Sequence, residues 1–111
     1  HLTPDGIVSS CEMCYEEGSP LDVFIYGKWN KDKKIIEYNK DKIKIIKSRN
    51  INNLEECKGC KYIRNCAGSC AGESLNETGS LYKKNERLCQ IIKYLAERIP
   101  RNQGIYEYLH P

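Results

Sequence analysis

The sequence predicts a small α+β domain: an N-terminal β-hairpin region, cysteine-rich loops that hold metal clusters, and a C-terminal amphipathic helix. Three observations carry this. Short β-branched runs occupy the first forty residues. Five cysteines fall between Cys57 and Cys89. The last third carries an apolar stripe at helical spacing.

Taken in order, Gly6-Ile7-Val8-Ser9-Ser10 follows a turn-like Pro4-Asp5-Gly6 and reads as a first strand, which Cys11-Glu12-Met13-Cys14 ends. Gly18-Ser19-Pro20 marks a loop. Asp22 to Tyr26 reads as a second strand stopped at Gly27. Lys31-Asp32-Lys33 reads as a turn before a third strand from Lys34 to Tyr38. Helical character begins near Asp41, where Ile43, Ile46 and Ile45 line a stripe running to Arg49. Asn53 is a candidate N-cap for a short turn at Leu54-Glu55-Glu56. The stretch from Gly72 to Gly79 reads as a loop. From about Asn85 to Arg98, Leu88, Ile91, Ile92, Leu95 and Ile99 recur at helical spacing, and Pro100 ends the helix.

The length of 111 residues fits one domain. Within it, a front region spans about 1–38 and a second spans about 53–99. Aliphatic content is thin: there is one Phe, one Trp and one Met among 40% hydrophobic residues, many of them Tyr or Cys. Small domains with thin cores need staples, and the seven cysteines are the candidates. The net charge of +3 is too mild, and the lysines too dispersed, for a nucleic-acid partner. No apolar run is long enough for a membrane, and the first residues show no signal-peptide pattern. A reducing, cytoplasmic setting is therefore expected, where clustered thiols bind metal more often than they form disulfides.

The strongest pattern is Cys57-x2-Cys60-x5-Cys66-x3-Cys70, followed by Cys89 inside the final helix. Two residues between cysteines let both thiolates face one metal centre. Thiolates are soft ligands that suit zinc or iron–sulfur clusters. Seven cysteines exceed the four of a tetrahedral zinc and fall one short of two four-thiolate sites. Cys66-Ala67-Gly68-Ser69-Cys70-Ala71-Gly72 is built from small residues that allow close backbone approach to a cluster. Three readings stand side by side: an iron–sulfur domain, a zinc-stabilised module that binds a protein partner, and a ferredoxin-type carrier. The last lacks the Cys-x2-Cys-x2-Cys run of that class.

The cysteine pattern resembles the SPASM domain, the auxiliary iron–sulfur domain of radical SAM peptide maturases. The front half resembles it too. Leu2-Thr3-Pro4-Asp5-Gly6-Ile7-Val8-Ser9-Ser10-Cys11 is similar to the family's opening strand with its first ligand, and Phe24-Ile25-Tyr26-Gly27-Lys28 to its glycine-bearing strand. The likeness runs from Thr3 to about Leu95. It implies two 4Fe–4S clusters serving electron transfer or substrate binding. Carried over, Cys57, Cys60, Cys66 and Cys89 hold the second cluster, while Cys70 crosses over to join Cys11 at the first. The family places a further cysteine five residues after the strand glycine, where this chain has Asp32. Instead it has an extra thiol at Cys14. The first cluster then has Cys11, Cys14 and Cys70 as thiolates, with Asp32 as a carboxylate candidate or simply a solvated turn residue.

The Cys-x3-Cys-x2-Cys site of a SAM-binding cluster is absent, and ~200 residues of barrel do not fit here. SAM would belong to a core domain elsewhere in the same parent chain, and this part alone is not expected to catalyse. The resemblance implies a ribosomally made peptide (a RiPP precursor) as substrate. The front end with Tyr15 is most similar to the thioether-forming branch.

Overall fold

A computed structural model describes residues 1–14 and 16–98. Tyr15 and the helix end expected at Ile99 and Pro100 lie outside the described residues. Among the described residues the chain is mixed α and β: a three-stranded antiparallel sheet followed by four helices.

The sheet has the order β1-β2-β3, with β1 at Ile7–Ser9, β2 at Ile25–Asn30 and β3 at Ile35–Tyr38. Ile7 pairs with Lys28 and Val8 with Gly27, then the register shifts so that Ser9 faces Ile25. β2 does not stop at Gly27. The glycine is there for space: a Cβ would sit 3.0 Å from Val8 Cβ and 3.2 Å from Ile36 Cγ2. Strands β1 and β3 can therefore flank β2 closely, and the strand continues to Asn30. The segment read as the start of that strand, Asp22–Phe24, is instead a 3-10 turn. It buries Phe24 in the core.

Helix α1 spans Lys40–Ser48, and the Asn39 side chain caps it by accepting from the Lys42 amide. Lys42 reaches back to the Asp22 carboxylate, tying the helix to the 3-10 turn. Two further 3-10 turns follow, at Ile51–Asn53 and Glu55–Cys57. Asn50 caps the first, accepting from the Asn52 amide, whereas the second, for which Asn53 is the candidate cap in the sequence, begins at Leu54 without a side-chain cap. The Asn53 side chain turns back to the Ser48 carbonyl at 2.6 Å.

Helix α2 is one turn, Ile63–Cys66. Helix α3, Ala71–Thr78, occupies the stretch read as a loop. Its glycines misled the pattern because each serves an end or a contact. Gly79 takes a left-handed C-cap (φ 72°), and Gly72 is buried against sulfur atoms. The Ser74 hydroxyl donates to the Cys70 carbonyl and Thr78 to the Ser74 carbonyl, so both polar side chains are satisfied within the helix. Helix α4 spans Glu86–Arg98, and the Asn85 side chain accepts from the Leu88 amide at its start. None of its residues is fully buried.

One core serves the sheet and the helices. Ile7, Cys11, Cys14, Leu21, Phe24 and Ile25 form it, and Leu81, from the link between α3 and α4, completes it. Ile46 of α1 and Leu75 of α3 pack against its edge. No helix among the described residues is long and apolar enough to cross a membrane.

Candidate metal centre

Four cysteines line one hollow. Cys57 ends the 3-10 turn Glu55–Cys57, and the Cys60 amide donates back to the Cys57 carbonyl at 3.1 Å through a turn at Gly59 (φ 77°). Cys66 ends α2, and Cys89 lies in the first turn of α4, its amide bonded to the Asn85 carbonyl. Three separate elements thus bring Cys57, Cys60, Cys66 and Cys89 to the same hollow, which is partly open to solvent. Tyr62, Ile63 and Ile92 supply apolar walls; Lys84 and Lys93 stand at its edge. Burial pushes the Cys57 thiol above its usual value, and the neighbouring Cys66, Cys89 and Cys60 add to this as negative charges, while Lys84 opposes it. Mutual repulsion of this kind is what a bound cation or cluster would relieve, since metal displaces the thiol protons.

A second pair of thiols meets at Gly72. Cys11 follows β1 and is fixed by Ser9, whose hydroxyl accepts from the Cys11 amide at 3.1 Å and donates to its carbonyl at 3.0 Å. Cys70 precedes α3. A Cβ on Gly72 would lie 2.9 Å from the Cys11 sulfur and 3.8 Å from that of Cys70. The missing side chain leaves room for the Cys11 sulfur and for the Met13 methyl, which would lie 3.3 Å from that Cβ.

Cys14 is placed differently. It is 1% exposed, and its Sγ donates to the Leu21 carbonyl at 3.1 Å. A thiolate cannot donate, so ligation by Cys14 requires its side chain to rotate away from Leu21. Asp32 is not brought to this group. The register sets Ser9 against Ile25, so Cys11 lies at the start of β2 and Asp32 beyond its far end. Five strand steps of about 3.3 Å separate the two ends. Asp32 sits in the exposed hairpin turn, where its amide donates to Asn30 Oδ1.

The donor set suits a soft metal in chemistry: four cysteines line one hollow, and the sulfurs of two more approach Gly72. No three His, Cys, Asp or Glu side chains among the described residues already stand as a ready-made site for a single ion.

The sequence pattern gave no sign of Arg49. From the C-terminal end of α1 its guanidinium reaches the link between the two cysteine groups. Nη2 donates to the Gly68 carbonyl at 2.9 Å and to Ser74 Oγ at 3.3 Å, and Nη1 to the Ala67 carbonyl at 3.3 Å. Its Nε is buried without a partner. Burial pulls this guanidinium below its usual value, and Cys70, Cys57 and Cys66 oppose the pull as neighbouring negative charges. The link itself is unusual. Ala67, Gly68 and Ser69 all have positive φ, at 49°, 80° and 61°.

No protein-family model matches the chain, and no solved structure matches it. An uncharacterised protein of Archaeoglobus fulgidus is 29% identical over 56 residues. That match covers 50% of this chain but only 13% of the relative's length.

Proposed function

We propose that this chain binds two 4Fe–4S clusters and serves as the auxiliary domain of a radical SAM enzyme that modifies a ribosomally made peptide in the cytoplasm. The observation that carries the metal reading is the convergence of Cys57, Cys60, Cys66 and Cys89, from three elements, on one hollow. The approach of the Cys11 and Cys70 sulfurs to Gly72 supports a first site containing both; Cys14 would be its third thiolate once its side chain turns away from the Leu21 carbonyl. Bound there, the clusters supply one-electron chemistry or an open iron for a substrate group. The protein's part is to hold the thiolates apart at fixed positions, to wall the second site with Tyr62, Ile63 and Ile92, and to place cations beside it. The enzyme-level reading rests on the SPASM resemblance of the cysteine pattern. The SAM-binding core would be supplied by the parent chain.

The test is metal analysis after anaerobic expression and purification. About eight iron and eight sulfide per chain, with broad visible absorption, is the expected result. A colourless protein with stoichiometric zinc and negligible iron would replace this reading with a zinc-stabilised interaction module, which a four-thiol hollow also suits.

A further inference from the structure

Two cysteine groups in a chain of this size need a reason to stay distinct and yet adjacent. The link between them, Cys66 to Cys70, is three residues long, and all three lie in left-handed backbone space. Only one of the three is glycine. Left-handed Ala67 and Ser69 each carry strain that surrounding contacts must offset. The contacts come from Arg49, which donates to the carbonyls of Ala67 and Gly68 and to Ser74 on the far side of Cys70. A planar guanidinium suits this task because its donors form a rigid fork.

The same side chain is a permanent cation. Cys70 of one group and Cys57 and Cys66 of the other are all close enough to act on it electrostatically. Its Nε is buried and unpartnered, a donor left over after the carbonyls are satisfied. Buried donors are rarely left unused, and such atoms call for an explanation. Lys84 differs: it lines the hollow of one cysteine group and is paired with Glu86 at 3.3 Å.

We propose that Arg49 is a positioning residue shared by both cluster sites: its fork fixes the Ala67–Ser69 turn between them, and its charge raises the reduction potential of both. This rests on the iron–sulfur reading above. Reducing a cluster adds one electron and one negative charge, so a nearby fixed cation favours the reduced form. Removing it makes reduction harder at both sites.

The experiment is a dithionite titration, followed by paramagnetic resonance, of the 111-residue chain reconstituted anaerobically with iron and sulfide. Wild type, Arg49→Gln, Arg49→Lys and Lys84→Gln are compared, each with its iron count. Arg49→Gln is expected to lower both midpoints by about a tenfold change in the reduction equilibrium, ~59 mV for a one-electron couple. Arg49→Lys keeps the charge and is expected to restore most of that shift. Lys84→Gln is expected to move one midpoint only. Unchanged midpoints in a fully loaded Arg49→Gln overturn the inference, as does a Lys variant shifted as far as the Gln variant, which marks a purely structural role. If Arg49→Gln loses its clusters, the Lys variant decides the role of the charge: full iron with near wild-type midpoints supports it, full iron with shifted midpoints overturns it, and iron lost from both variants overturns it as well, leaving the fork as a structural brace alone. A wild type that takes up no iron overturns this inference and the iron–sulfur reading together, whereas unmoved potentials in loaded protein overturn this inference alone.

Discussion

The Cys11 sulfur lies 2.9 Å from the point where a side chain on Gly72 would begin. Real Cβ contacts are not that short, so any side chain at position 72 must displace the sulfur or shift the start of α3. Gly72 has ordinary backbone dihedrals, so its requirement is one of space alone. Gly72→Ala is therefore expected to halve the iron content, from about eight to about four per chain, by emptying the Cys11–Cys70 site while the other site fills. Iron counting with paramagnetic resonance reads this directly, and full iron in the variant would contradict it.

Gly68 is constrained in both ways. Its φ is 80°, and a Cβ would lie 2.6 Å from Leu54 Cδ1 and 3.2 Å from Arg49 Nη2. Leu54 is 1% exposed and has little room to yield. Gly68→Ala is expected to cost about 2 kcal/mol or more, from backbone strain and overpacking together. Chemical denaturation of the loaded protein measures it. A loss below about 0.5 kcal/mol would mean that the turn relaxes freely.

Cys89 and Cys14 separate the two sites. Helix α4 has no fully buried residue, so its attachment leans on the half-buried side facing the hollow, where Cys89 and Ile92 sit. Cys89→Ala is expected to remove the second cluster and to speed amide exchange across α4. Cys14→Ala is expected to spare that cluster and lower iron only at the first site. Full iron with both resonance signals in Cys89→Ala would reassign Cys70 to the Cys57, Cys60 and Cys66 group.

Acid should loosen α1 in a definite direction. The Lys42 ammonium, bonded to Asp22, holds this carboxyl below the usual carboxylate range, and the Gly18 amide adds to the effect. A carboxyl lowered in the folded state contributes stability above its unfolded value of about 3.9. The contribution fades as pH falls through that value toward the folded one. The protection of α1 amides, taken relative to their intrinsic exchange rates, is thus expected to fall below about pH 4 in wild type, with a weaker pH response in Asp22→Asn. Equal pH profiles for the two proteins would remove the pair from the account.

The mix of strands and then helices was legible because β-branched runs and helical stripes are local signals. What escaped was tertiary. Gly27 looks like a strand stop, yet it is a mid-strand gap that Val8 and Ile36 fill from both sides. Gly72 and Gly79 look like loop residues, yet one opens α3 against sulfur and the other caps it. Cys57, Cys60, Cys66 and Cys89 line one hollow, and the sulfurs of Cys11 and Cys70 both approach Gly72. Arg49 could not be seen, because nothing near it in sequence distinguishes it from the other basic residues along α1. Its significance arises only when residues 67–74 fold back over it.

Leu81 has a consequence for any attempt to divide the chain. It is 7% exposed and belongs to the same apolar cluster as Ile7, Phe24 and Ile25. The segment that bears most of the cysteines therefore lends a side chain to the sheet's interior. A fragment ending after β3 would leave Phe24 and Ile25 facing water where Leu81 had been, and a fragment starting at α1 would leave Leu81 with no interior to enter. Neither half has a complete interior of its own. Trimming experiments, domain grafts and limited proteolysis should treat residues 1–81 as indivisible.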